Sequence, residues 1–264
     1  MVLRKNFIFG FLFCALFGLT GCGDSSDKNK IREVKGLEKT LTMVTSADNP
    51  PYEYFEGGDA GKIIGFDINL VQEIAQYLGI KIEVEDRDFN GLISSVQSGR
   101  ADLAMASLTI TPERAQNVDF STSYIRNQVA IVIKSEHPEI TADNIAGKKI
   151  GVQLGTPHDE VLQKLAPKGE VKIVHLNKLG ELIQEVRADR IDGVMMDLRP
   201  AIAYVQRNKD LKYVHIRQGD TETGIAFAKG SPWVAKFNEA IEALKKNGTI
   251  DRLVEKWLQS KDKM

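Results

Sequence analysis

The chain has 264 residues, with 35 lysines and arginines against 36 aspartates and glutamates, and a formal charge of −1. That balance argues against a nucleic-acid binder, whose basic surplus gathers on one face. A composition of 42% hydrophobic and 27% charged residues is that of a folded globular chain rather than a disordered one. Two cysteines cannot support a disulfide-rich scaffold, and no Cys/His grouping has zinc spacing.

Arg4 and Lys5 precede an apolar run from Phe7 to Leu19. The run is shorter than the roughly 20 residues a spanning helix needs and has the length of a signal-peptide core. Leu19-Thr20-Gly21-Cys22 follows. Small residues before a single cysteine resemble the bacterial lipobox; an ordinary signal peptide with a coincidental cysteine is the alternative. The lipobox reading makes 1–21 a lipoprotein signal peptide, Cys22 the lipidated residue and 22–36 a polar tether. Cys14 would leave with the signal peptide, so the mature body holds no thiol for a structural disulfide or a nucleophile. The expected location is outside the cytoplasm, facing the periplasm or the cell exterior, held to a membrane by lipid, for which more than one acyl chain is needed.

Along the body, Leu41–Thr45 reads as a strand, and Pro50-Pro51 blocks helix after it. Gly57, Gly58 and Gly61 mark a hairpin-like loop. Phe66, Leu70, Ile74 and Leu78 recur at helical spacing, with Gly79 placed to cap the C-terminus. Ile80–Val84 alternates as a strand, Leu92–Val96 is a short helix, and Ala101–Ala106 is a buried strand. Thr111-Pro112 has the form of an N-cap followed by proline at the first helical position. The rhythm repeats: strands at Lys149–Val152, Val171–His175, Val194–Met196 and Lys212–Ile216 alternate with helices after Pro157, at Leu179–Ala188 and at Pro200–Gln206. Helices at Trp233–Lys246 and Ile250–Leu258 close the chain. Alternating strands and helices imply an α/β fold with mostly parallel sheets. The apolar runs Gln128–Lys134 and Gly224–Lys229 are candidates for strands crossing between two lobes.

Several motifs occur in order: Pro51-Tyr52-Glu53, Gly65-Phe66-Asp67, Asp88-Phe89-Asn90-Gly91-Leu92-Ile93, Thr109-Ile110-Thr111-Pro112-Glu113-Arg114, Val118-Asp119-Phe120-Ser121, Ala146–Val152 with Gly155-Thr156, Asp197, Gly224-Ile225-Ala226 and Asn247-Gly248-Thr249. From about Leu41 to Trp257 the chain resembles the polar-amino-acid-binding proteins of ABC importers, the extracellular solute-binding proteins of family 3. The resemblance implies a two-lobed periplasmic-binding-protein fold with a ligand cleft and a two-strand hinge. Lobe 1 would combine 37–129 with 224–264, lobe 2 would be 134–218, and the hinge strands would fall at about 128–134 and 219–228. It also implies a monomer that binds a free amino acid, delivers it to an ABC permease, and uses no cofactor and no metal.

An α-amino acid is a zwitterion, so its site needs a cation or N–H donors at one end and a carboxylate at the other. Arg114 offers a planar fork in a first helical turn; read alone it is equally a surface ion-pairing residue, and the resemblance assigns it to the ligand carboxylate with Thr109 beside it. Asp197 follows an apolar strand at a strand end, where α/β folds bind ligands; read alone it is also a helix N-cap, and the resemblance assigns it to the ammonium. Tyr52 and Phe89 match positions lining the side-chain pocket, with core packing as the alternative. Ser107 and Thr156 are expected to supply donors, on the resemblance alone. Two departures stand out. Pro157 removes an N–H where relatives carry Thr, Ser or Gly, and Ser46 stands where many carry an acid. Asp48, Asn49, Glu53, Gln153 and His158 are candidates to select the side chain in its place, and a carboxylate among aromatic faces would favour a basic ligand; glutamine or another polar amino acid stays open.

Asp86–Asn90 mimics the start of an EF-hand loop, but Gln97 stands where calcium needs a bidentate Glu. The four histidines have no paired metal spacing, and there is no G-x-S-x-G elbow or Walker A loop. The alternative function on the same fold is a periplasmic cyclohexadienyl (arogenate/prephenate) dehydratase with Glu53 or His158 as acid, but no matched base stands out. The expectation is a receptor, not an enzyme.

Overall fold

The computed structural model describes residues 39–259 apart from 58–60 and 167–169. The expected signal peptide, Cys22, the tether and Gly58 lie outside the described residues. Strand β1 (Thr40–Thr45) leads into a small antiparallel sheet of β2 (Asp48–Asn49), β3 (Glu53–Phe55) and β4 (Ile63–Ile64). Helix α1 (Phe66–Leu78) follows, then β5 (Lys81–Asp86), a 3₁₀ turn at Phe89–Gly91, α2 (Leu92–Gln97), β6 (Leu103–Ala104), α3 (Pro112–Asn117) and β7 (Val118–Phe120). The second half holds β8 (Ile125–Lys134), β9 (Lys149–Gln153), α4 (His158–Leu165), β10 (Lys172–Leu176), α5 (Leu179–Arg187), β11 (Gly193–Asp197), α6 (Leu198–Arg207) and β12 (Leu211–Thr223). Strand β13 (Ala226–Ala228), α7 (Trp233–Lys246) and α8 (Thr249–Trp257) end the chain.

Two five-stranded sheets organise two lobes. The first has the order β5-β1-β6-β13-β7 and the second β10-β9-β11-β8-β12. Each has a parallel trio with its earliest strand in the middle, extended on one side by two strands joined through antiparallel pairings. The period-2 rule divides each sheet's residues between two cores. In β1, Leu41 and Met43 face α1, α7 and α8, while Val44 packs with α2. In β8, Val129, Ile131 and Ile133 pack with Leu162 of α4, while Ala130 and Val132 pack with α5 and α6.

Helix α1 starts without a side-chain cap. Instead, the carbonyls of Pro51 and Tyr52 accept the N–H groups of Phe66 and Asp67. Gly65 makes this approach possible, since at φ 136° a Cβ would lie 2.1 Å from the Tyr52 carbonyl oxygen. At the other end Gly79 adopts the left-handed cap its position implied.

The connection between the lobes departs from expectation in one respect. Gly224–Lys229 does not cross; it contributes β13, which lies between β6 and β7 within the first sheet. The strand that accompanies β8 is β12, paired with it from Leu211↔Lys134 to Thr223↔Ile125 with a register break between Ile216 and Thr221. Its far end is tied to the first lobe by a bridge between Thr223 and Thr109 and by the Ile110 N–H donating to Glu222 O at 2.8 Å. The strand reads as short because polar residues from Arg217 to Thr223 interrupt its apolar alternation.

Candidate functional site

A cavity of about 30 Å³ lies between the lobes, lined by Asn49, Phe89, Ala106, Ser107 and Thr109 from one side and by Gln153, Thr156, Pro157, His158, Leu179, Met196 and Asp197 from the other. It adjoins a larger space of about 590 Å³ that shares Thr109, Pro157, His158 and Asp197 and is bounded by α3, α4 and residues 220–222.

Arg114 sits at the third position of α3, where its own N–H donates to the capping Thr111 hydroxyl at 3.2 Å. Its guanidinium donates to the Thr109 carbonyl at 2.7 Å and, across the lobes, to the Gly155 carbonyl at 2.8 Å. The cation stands over the Phe89 ring, 5.5 Å from its centre. Burial lowers its pKa to about 10, opposed by the charges of Asp197 and Glu113, so it stays cationic at neutral pH. Gly155 approaches lobe 1 closely: at φ 84°, a Cβ there would meet the Asn90 Cα at 3.0 Å.

Asp197 ends β11 at the N-cap position of α6, yet its side chain makes no capping bond. The carboxylate accepts instead from Asn127 Nδ2 at 3.0 Å and lies 3.3 Å from His158 Nε2. His158 opens α4 and is buried, with a buried Nδ1 that has no partner. Neither charge is paired strongly: among the described residues Arg114 enters no ion pair, and Asp197 meets only His158. Arg114 comes from the first lobe and Asp197 from the second, and the Asp197 charge acts on the Arg114 guanidinium.

Asn127 is the residue the sequence reading passed over. Its buried carboxamide accepts from the Tyr52 hydroxyl and donates to Ser107 Oγ at 2.8 Å, to Asp197 Oδ2 at 3.0 Å and, more weakly, to Thr223 Oγ1 at 3.3 Å. The available signal was a polar residue at the head of an otherwise apolar strand, which implies a buried partner.

The other candidates divide. Phe89, Ser107, Thr109, Gln153, Thr156 and His158 line the cavity. The Thr156 hydroxyl is engaged in its own turn, donating to Gln153 O at 2.8 Å. Tyr52 lies elsewhere: it is fully buried in the lobe-1 core, edge-on to Phe66, with only its hydroxyl reaching the Asn127 network. Glu53 is also fully buried, accepting from Asn49 Nδ2 at 2.9 Å, and its neighbour Asn49 is the residue that reaches the cavity. Burial, then the charge of Asp67, pushes the Glu53 carboxyl well above the usual range. Asp48 crosses between the lobes. Its carboxylate accepts from the Leu179 N–H at the start of α5 at 2.7 Å, from Ser46 Oγ at 3.1 Å and from Gln153 Nε2 at 3.3 Å, while its carbonyl accepts from Tyr204 at 2.9 Å. A carboxylate on the first N–H of a helix is favoured by the helix dipole. The group is thus committed to joining the lobes. Among the described residues no cluster of histidine, cysteine and carboxylate side chains could hold a metal ion.

The fold and this lining define a class, the two-lobed solute receptors. Residues 41–260 match the family described as bacterial extracellular solute-binding proteins, family 3, and the chain belongs to that family. It is 36% identical over 247 residues to the arginine-binding extracellular protein ArtP of Bacillus subtilis, covering 92% of this chain and 94% of that protein. It is 30% identical over 259 residues to the L-cystine-binding protein TcyJ of Escherichia coli, covering 97% and 96%. Among solved structures it resembles an ancestral arginine-binding protein bound to arginine, at 38% identity and a TM-score of 0.79, covering 85% of this chain and all of the other. An ancestral amino-acid-binding protein described as a precursor of cyclohexadienyl dehydratase aligns at 32% identity and a TM-score of 0.75, covering 83% and 96%.

The Asp48 contact is tested without any ligand. Asp48→Ala removes three contacts in which the carboxylate accepts from neutral donors across or beside the lobe boundary, and a hydrogen bond to a charged group is worth about 1.5–3 kcal/mol. Amide exchange at Leu179 should quicken by about tenfold or more, and scattering should show a larger radius of gyration. Unchanged exchange and dimensions would show that Asp48 does not hold the lobes together.

Proposed function

We propose that this protein is a lipid-anchored receptor outside the cytoplasm that binds a free basic L-amino acid, arginine first, between its lobes and delivers it to an ABC permease. The observation that carries the reading is the pair of opposite charges on opposite lobes, each satisfied chiefly by neutral groups: Asp197 lines the cavity, and Arg114 stands behind its wall, against the lining residues Thr109 and Phe89. A zwitterion complements such a pair: its carboxylate fits the Arg114 fork and its ammonium the Asp197 carboxylate. Pro157 supplies no N–H at the start of α4, and the Thr156 N–H and hydroxyl are both turned onto the Gln153 carbonyl at 3.2 and 2.8 Å, so carboxylate binding relies the more on Arg114 and Thr109.

The preference for a basic side chain is supported by the adjoining space, where Glu113, Glu160, Asp197, Asp220 and Glu222 face a single lysine, Lys164. It is supported also by the arginine-binding relatives. The dehydratase alternative has less support, because the matched relatives are named as binding proteins. The reading takes 37–129 with 224–264 as one lobe, 134–218 as the other, and a monomer as the working unit.

A thermal-shift screen of the twenty amino acids tests the class: the ligand at 100 times its dissociation constant stabilises by about 2.7 kcal/mol. L-Arginine is expected to give the largest shift. Arg114→Ala leaves a ligand charge unpaired, which costs about 2–5 kcal/mol, so calorimetry should show about 30-fold or greater weakening. Full affinity in that variant would remove Arg114 from the site. The anchor has its own test: Cys22→Ser protein should move from the membrane fraction to the soluble exported fraction, and its retention on the membrane would refute lipidation at Cys22.

A further inference from the structure

Beneath the cavity, Glu53 and Asp67 are both fully buried in lobe 1. Glu53 Oε2 and Asp67 Oδ1 are buried without a hydrogen-bond partner, and the Asp67 N–H donates to the Tyr52 carbonyl at 3.0 Å, which sets Asp67 beside Glu53. Two neighbouring carboxyl groups held away from water, each with an oxygen that no donor reaches, repel unless they share a proton. The remaining oxygens are fully used. Asp67 Oδ2 accepts from the Ser107 N–H at 2.7 Å and the Tyr124 hydroxyl at 2.9 Å, and Glu53 Oε1 accepts from Asn49 Nδ2 at 2.9 Å.

We infer that Glu53 and Asp67 share one proton, with Glu53 as donor and Asp67 as acceptor, and that this acid pair is a positioning device for the lobe-1 wall of the binding cavity. The inference rests on the cavity being the ligand site only for its second half, the consequence for binding.

Donor counting assigns the proton. Asp67 receives two donors on one oxygen, which stabilise its charge, and Glu53 receives one amide. Burial raises both groups, and Glu53 is further raised by the charge of Asp67. The other titratable groups acting on the pair are Asp48 from β2, Tyr52 from the turn before β3 and Tyr124 from the segment before β8; none brings positive charge. Arg199 and Asp197 act on Tyr52 beyond the pair.

Each arm of the pair ends at a cavity residue. The charged arm holds Ser107, whose φ of 48° is unusual for a residue with a side chain and needs a fixed partner to persist. Ser107 in turn accepts from Asn127, which donates to Asp197. The protonated arm holds the amide of Asn49, the cavity residue nearest the departure at Ser46.

The sign of the pH effect follows from linkage. A carboxyl whose folded pKa is raised contributes stability that is complete below its unfolded pKa and is lost as pH climbs toward the folded value. Glu53→Gln keeps an acceptor for Asn49 and offers Asp67 a permanent N–H donor, so it escapes that loss. In ligand-free protein, the melting temperature of Glu53→Gln should exceed that of the wild type by about 2–4 °C or more at pH 8, and the gap should close toward pH 4. Glu53→Leu, with no donor, should be less stable than both and bind the amino acid about tenfold more weakly, with Glu53→Gln restoring affinity to within about threefold. Infrared spectroscopy of the wild type gives a reading independent of any variant: a protonated-carboxyl C=O band at pH 7–8. A melting gap independent of pH, absence of that band, or equal affinity of the Leu and Gln variants would overturn the inference. The melting and infrared arms need no ligand, so they stand even if the amino-acid reading fails.

Discussion

The organising constraint is that a guanidinium and a carboxylate are taken partly out of water on facing lobes without being allowed to neutralise each other. A buried charge left to neutral partners is costly, and a direct Arg114–Asp197 bond would relieve it. The fold prevents that bond. Arg114 is turned by the Thr109 and Gly155 carbonyls and laid over Phe89, while Asp197 is held by Asn127 and His158. What remains is a pair of complementary potentials, one in the cavity wall at Asp197 and one just behind it at Arg114, a geometry suited to a small molecule carrying both charges.

The rest of the structure maintains that separation. Asp197 is delivered by the C-terminal end of a sheet strand, and Arg114 by the first turn of a short helix that Thr111 caps. Asn127 lies on β8, opposite Thr221 of β12, where the chain passes from one lobe to the other. Its carboxamide therefore ties the carboxylate of lobe 2 to Ser107 of lobe 1 beside the connecting strands. Asp48 and Arg114 make further bonds across the boundary, so lobe closure and cavity geometry share the same contacts.

Much of this was legible in the residues. The spacing of Phe66, Leu70, Ile74 and Leu78 defines α1, and Thr111-Pro112 marks the start of α3, because periodicity and capping are local properties. Arg114 and Asp197 were singled out through the resemblance to the receptor family, since position alone left the first as a surface ion-pairing residue and the second as a helix cap. The direction of a side chain in an irregular segment has no such signal. Between Asp48 and Phe55 the chain turns twice within a few residues, so Asn49 reaches the cavity while Tyr52 and Glu53 turn into the core and Asp48 points across to α5. Asn127 was hidden for a related reason. Its significance is tertiary, arising from four segments that meet it only after folding, those of Tyr52, Ser107, Asp197 and Thr223, and the apolar run drew attention to the residues after it.

The most direct test of the central claim removes one charged end of the ligand at a time. Calorimetry on the wild-type protein would compare L-arginine with agmatine, which lacks the carboxylate, and with 5-guanidinovaleric acid, which lacks the ammonium. If both ends are gripped, each analogue should bind about 30-fold or more weakly than arginine, on the scale of an unpaired buried charge. Arginine-like affinity in either analogue would contradict the account, since one of the two charges would then have no part in binding.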